Sequence, residues 1–150
     1  MVTVEPDFKE FLELLNEEHV EYLIVGGYAL AFCGLPRYTK DLDLFIRPDA
    51  GNATRILRAL GRFGMGSIGL KENDFCVEDR VVQLGVAPVR IDLITSIPGV
   101  SWERAWANKV AVQYGEVPTF VITRADLVTS KRVLGRKVDL ADLEALGESS

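Results

Sequence analysis

Asp41-Leu42-Asp43-Leu44-Phe45-Ile46 alternates acid with apolar residues before closing on two apolar positions. Side chains point to opposite faces along a β-strand, so a strand here puts Asp41 and Asp43 on one face and Leu42, Leu44 and Ile46 on the other. Two carboxylates on one face repel each other unless something positive lies between them. An oxygen-only pair of this kind suits a hard divalent cation such as Mg²⁺ or Mn²⁺. A solvent-facing strand that merely displays two acids is the alternative, although aspartate is depleted in strands.

On the N-terminal side, the apolar run Tyr22-Leu23-Ile24-Val25 stops at Gly26-Gly27, and a helical stretch follows through Tyr28 to Phe32, ended by Gly34 and Pro36. A strand that turns through glycines into a helix offers backbone N–H groups to a phosphate, with no side chain in the way. A tight turn without a ligand explains the same residues. On the C-terminal side, Ala50 to Leu60 reads as a helix with Ile56, Leu57 and Leu60 on one face. Gly61 to Asp79 reads as connection with a short turn of helix. Arg80 to Leu84 and Val89 to Ile94 follow as two strands joined by a turn at Gly85 to Pro88.

The second of these strands, Val89-Arg90-Ile91-Asp92-Leu93-Ile94, carries an acid inside an apolar run. A half-buried aspartate needs a partner or a metal. An ion pair with Arg90, or with another nearby base, is one answer; a third carboxylate meeting Asp41 and Asp43 across neighbouring strands is the other. Elsewhere, Pro6-Asp7 opens a helix with Phe8, Phe11, Leu12, Leu14 and Leu15 as its apolar stripe. Ser101 starts a short helix, and Val110 to Gln113 and Val117 to Ile122 form strands around Gly115. A last helix begins near Arg124 and carries Leu127, Val128, Lys131 and Leu134. This order predicts one mixed α/β domain (α+β in its details) over residues 1–146, with helices packed on one main sheet and residues 147–150 as a loose tail.

Composition narrows the chemistry. A net charge of -5 argues against gripping nucleic acid by overall charge, while Lys131-Arg132, Arg136-Lys137, Arg37 and Lys40 leave room for local basic patches. The two cysteines, Cys33 and Cys76, lack metal-finger spacing and are expected as buried free thiols. His19 is the one histidine and stands at an apparent helix end, so histidine-rich zinc sites and Ser-His-Asp catalysis are disfavoured. Whatever chemistry is done falls to carboxylates. No apolar run reaches the ~20 residues that span a bilayer, and Met1 to Pro6 lacks the pattern of a signal peptide. A cytoplasmic protein without a membrane partner is the expectation.

Leu23-Ile24-Val25-Gly26-Gly27-Tyr28-Ala29-Leu30, with Gly34, Arg37, Thr39, Asp41, Asp43 and the distant Asp92, resembles the nucleotidyltransferase superfamily. More narrowly it looks like the small single-domain bacterial and archaeal members, related to the minimal nucleotidyltransferases and to the toxin subunits of abortive-infection toxin–antitoxin pairs. The run Asp126 to Lys131 and then Gly135 to Leu143 resembles the closing helix of that subgroup, so the likeness extends from about Tyr22 to Leu146. The resemblance implies a polymerase-beta-like nucleotidyltransferase fold and a metal-dependent transfer of a nucleoside monophosphate from a nucleoside triphosphate, with pyrophosphate leaving. It implies Gly26 and Gly27 as holders of the triphosphate, Asp41 and Asp43 as ligands of Mg²⁺ or Mn²⁺, and Asp92 as ligand of a second ion and aid to deprotonation of the acceptor. Arg37 and Thr39 would assist the phosphates. Lys131 and Arg136 would contact the triphosphate from the last helix, although a solvated helix face explains Lys131 equally. Asp139 and Asp142 are expected to be structural. The acceptor would be RNA (tRNA first), a protein or a small molecule, and an antitoxin is a possible partner. One departure stands out: better-known members carry Gly-Ser where this chain has Gly26-Gly27. Rival readings are a degenerate member that binds nucleotide or a partner without transfer, a toxin using the same chemistry, and a sugar-nucleotide transferase with an Asp-x-Asp metal site.

Overall fold

Among the described residues, β1 (Tyr22–Val25), β2 (Asp41–Ile46), β3 (Val81–Val86), β4 (Val89–Ile94), β5 (Val110–Tyr114) and β6 (Val117–Val121) form one mixed sheet in the order β3-β4-β2-β1-β6-β5. The computed structural model describes residues 4–35, 41–86 and 89–148. Arg37 and Thr39, the turn residues Ala87 and Pro88, and Ser149 and Ser150 of the expected tail therefore lie outside the described residues. Strand β2 pairs antiparallel with β1 and parallel with β4, while β1 pairs parallel with β6. The hairpins β3–β4 and β5–β6 form the two flanks.

Register decides which residues share a face. Leu42 pairs with Ile91 and Leu44 with Leu93, and all four are buried. Ile91 and its β3 partner Leu84 line a cavity of about 320 Å³ with Asp7, Glu10, Phe63 and Met65. That face of the sheet is therefore the one turned to helix α1 (Pro6–Glu17) and the end of α3 (Ala50–Arg62). Asp41, Asp43 and Phe45 belong to the opposite face, where Phe45 meets Trp102 of α5 (Trp102–Ala107) edge-on at 5.1 Å.

Local chemistry sets most element ends. Pro6 sits in the first turn of α1, where its missing N–H costs nothing, and the Glu5 carboxylate accepts from Phe8 N at 3.0 Å. The stripe it buries is Phe8, Phe11, Leu12 and Leu15. Asp49 caps α3 through Asn52 N at 2.7 Å. Asn52 is wholly buried and uses its amide fully: it accepts from Glu21 N and donates to Glu21 O and Arg47 O. This one side chain ties α3 to the entries of β1 and the exit of β2.

Helix α2 (Gly26–Phe32) follows β1 directly, and Gly26, at φ +68°, makes the glycine turn expected between them. Two expectations need correction. The closing segment is two helices, α6 (Arg124–Leu134) and α7 (Lys137–Ala145), because Gly135 takes the left-handed conformation (φ 61°, ψ 17°) that ends α6. Lys131 and Arg136 consequently do not share a helix. Cys33 and Cys76 are free but half-buried, not buried. The short helix expected between Gly61 and Asp79 is α4 (Asn73–Cys76), and His19 is exposed just past α1. No helix among the described residues is long and apolar enough to cross a membrane.

Candidate functional site

Three pairings assemble the site. Val25, the last residue of β1, faces Asp43 of β2. Asp43 in turn faces Asp92 of β4, and Asp41 faces Arg90. Parallel strands in register put the side chains of such partners on the same face, so three carboxylates and one guanidinium converge. Gly26 closes the group from the β1 side. It has φ +68°, and a Cβ on it would run into Asp43 Oδ2 and lie 3.0 Å from Asp43 Cγ. Only glycine meets both demands, the left-handed backbone and the approach of a carboxylate.

Arg90 is the positive charge between the acids. Its Nη2 donates to Asp92 Oδ2 at 3.0 Å and lies 3.4 Å from Asp41 Oδ2. Among the described residues one cation, Arg90, meets these three acids. Burial, the charges of Asp92 and Asp41 and a hydrogen bond shared with Asp92 push Asp43 up to about 7, against which Arg90 alone pulls down. Asp92 Oδ1 and Arg90 Nε are buried without a hydrogen-bond partner among the described residues. A proton retained on Asp43, or a cation, would satisfy the Asp92 oxygen.

Among the described residues, no group of three or more His, Cys, Asp or Glu is already gathered as a metal cage. Arg90 Nη2 reaches both Asp41 and Asp92. The donors nevertheless fit a hard divalent ion. They are all carboxylate oxygens, and one of them is buried and unsatisfied.

The crystal structure of a "putative nucleotidyltransferase" (TM1012) from Thermotoga maritima matches 95% of this chain and 93% of its own, with a TM-score of 0.62 at 16% sequence identity. This chain has the nucleotidyltransferase fold. At that identity the likeness speaks for architecture alone. No protein-family model matches the chain, and no curated protein matches it by sequence.

Within the nucleotidyltransferase fold, the other expected site residues divide. Gly27 follows Gly26 in the first turn of α2. Lys131 is buried, with Nζ 2.9 Å from Asp142 Oδ2 and 3.5 Å from Asp139 Oδ1. Arg136, largely exposed, forks onto Asp139 through Nε at 2.7 Å and Nη2 at 3.2 Å. The structure thus joins Lys131 and Arg136 to Asp139 and Asp142 between α6 and α7, the structural role expected of those two acids. Sequence reasoning had Arg90 as a partner for Asp92 alone. The i, i+2 spacing put both on one face, but the reach to Asp41 depends on the β2–β4 register. A larger cleft of about 740 Å³, lined by Phe45, Arg80, Thr95 and Trp102 among others, does not include the three acids.

Proposed function

We propose that this chain transfers a nucleoside monophosphate from a nucleoside triphosphate to a hydroxyl acceptor. The observation that carries the proposal is the meeting of Asp43 and Asp92 across paired strands, with the backbone of Gly26 pressed against Asp43. Asp41, Asp43 and Asp92 would hold Mg²⁺ or Mn²⁺, whose charge stabilises the entering and leaving oxygens of an in-line displacement. Gly26 and Gly27 bind the triphosphate through their amides at the start of α2. Asp92 would assist in removing the proton of the acceptor hydroxyl. The acceptor oxygen bonds to the α-phosphorus as the bond to the bridging oxygen breaks, and pyrophosphate leaves with that electron pair. RNA, a protein or a small molecule would accept, with tRNA the first to try. A toxin neutralised by an antitoxin would use the same chemistry, and growth arrest on expression separates it from a housekeeping enzyme.

A second reading keeps the fold and a bound nucleotide or partner but no transfer. It draws on Arg90, which already neutralises part of the acid cluster. Calorimetric titration of each nucleoside triphosphate, with and without Mg²⁺, tests both. Metal-dependent binding that disappears in Asp41→Ala supports the enzyme and names the base. Metal-independent binding, unaffected by Asp41→Ala, favours the second reading. Absence of any binding sinks the nucleotide site.

A further inference from the structure

We propose that Arg90 is a tethered counter-ion that occupies the acid cluster in the cation-free chain and must leave it before a divalent ion binds. The inference rests on the reading of Asp41, Asp43 and Asp92 as a metal site. Its first ground is register. Arg90 is the strand partner of Asp41 and stands two residues before Asp92 on the same face, so its guanidinium is delivered to the cluster by the backbone itself. A single nitrogen, Nη2, serves both Asp41 and Asp92.

The second ground is the quality of the pairing. Arginine and a carboxylate bind best as fork on fork, with two parallel N–H···O bonds. Arg136 reaches Asp139 that way, through Nε and Nη2. Arg90 does not: among the described residues its buried Nε has no acceptor, and Asp92 Oδ1, on a residue only 7% exposed, has no donor. Each orphaned group costs desolvation that its ion pair does not return. Arg90 is therefore held by charge and not by fit. Its side chain is 37% exposed, so a solvent path out of the cluster exists. A cation at the acids would take over Asp41 Oδ2 and Asp92 Oδ2 and satisfy Asp92 Oδ1, while Arg90 would rehydrate. The consequence is a threshold: metal binds in competition with a side chain of the protein, and Arg90 sets how much free ion is needed.

Mn²⁺ titration of the purified chain, followed by the electron paramagnetic resonance signal of free Mn²⁺, tests this without any substrate. Arg90→Gln is expected to bind Mn²⁺ about fivefold tighter than the parent, the scale of one partly exposed ion pair. Arg90→Lys keeps the charge and should stay within about threefold of the parent. Without metal, Arg90→Gln should melt at a lower temperature than the parent, and Mn²⁺ should restore it. Should Arg90→Gln fail to fold, Arg90→Met keeps the apolar stem and takes its place. Equal affinity in parent and Arg90→Gln, or weaker binding in the variant, overturns the counter-ion while the metal site stands, as Asp92→Asn would then show by losing Mn²⁺. Absence of Mn²⁺ binding in parent and variant alike removes both the counter-ion and the metal reading.

Discussion

Two of the charge clusters among the described residues are built differently. Between α6 and α7, the cations Lys131 and Arg136 meet the acids Asp139 and Asp142, and the Arg136 hydrogen bond holds Asp139 below the ordinary carboxylate range. On the sheet, one cation, Arg90, faces Asp41, Asp43 and Asp92, and Asp43 is pushed up to about 7. The first cluster is balanced and the second is in excess of negative charge. A balanced cluster holds two helices together. An unbalanced one stores affinity for something positive, and it marks the candidate site more surely than the presence of acids does.

The largest expected effect breaks the balanced cluster. Lys131→Met removes the buried cation that bridges Asp139 and Asp142 and should cost about 3 kcal/mol in urea unfolding. Nucleotide binding should persist in the fraction that folds. Unchanged stability with lost nucleotide affinity would instead return Lys131 to the triphosphate site and erase the distinction drawn above.

Next comes Gly26→Ala, which forces a side chain into the left-handed region and onto Asp43. A loss of about 2 kcal/mol is expected, together with loss of Mn²⁺ and nucleotide binding. A variant with parental stability and affinity would show that Gly26 and Asp43 are not held against each other.

Asp43→Asn sharpens the comparison through its sign. The Asp43 carboxyl binds its proton more tightly in the folded than in the unfolded chain, so its contribution is whole below about 4 and is lost as pH rises through about 7. Without metal, parent and Asp43→Asn should have similar stability at pH 4 and diverge above it. The variant should be the more stable by about 1 kcal/mol at pH 8, a value kept small by the solvent that reaches the site. Melting curves across that range decide it, and parallel curves would mean that Asp43 titrates normally. Asp139 works in the opposite direction: its pKa is lowered, so its contribution is present at neutral pH and lost as pH falls through its folded-state value. The smallest effect belongs to Arg136→Ala, about 0.5 kcal/mol, because that side chain is 63% exposed.

Much of the fold was legible along the chain. Strand β2 runs from Asp41 to Ile46 and β4 from Val89 to Ile94, where alternation and apolar content had put them. Asp49, Ser101 and Thr123 cap their helices with side-chain oxygens, a signal that needs nothing distant. Gly135 was visible too, but not as a helix break, since basic residues on both sides suit a continuing helix equally well. The burial of Lys131 was beyond reach, because it follows from α7 folding back along α6. The three acids were named from their strands, and their meeting across neighbouring strands was one of two readings; the register that pairs Asp43 with Asp92 and Asp41 with Arg90 was not legible.

By itself the sequence determined the alternation that puts Asp41 with Asp43 and Arg90 with Asp92, the glycines that end β1, and the shortage of histidine that leaves chemistry to carboxylates. These are properties of neighbours along the chain, set by backbone geometry and side-chain type. Tertiary structure alone decided that Asp43 pairs with Asp92, that Arg90 reaches Asp41, and that Lys131 is spent on Asp139 and Asp142. Those facts depend on strand order and register. They are chosen by the burial of Leu42, Leu44, Ile91 and Leu93 on the opposite face of the sheet, since a slip of one residue would turn these side chains to the acid face. The packing of that apolar face is what aims the acids at one another.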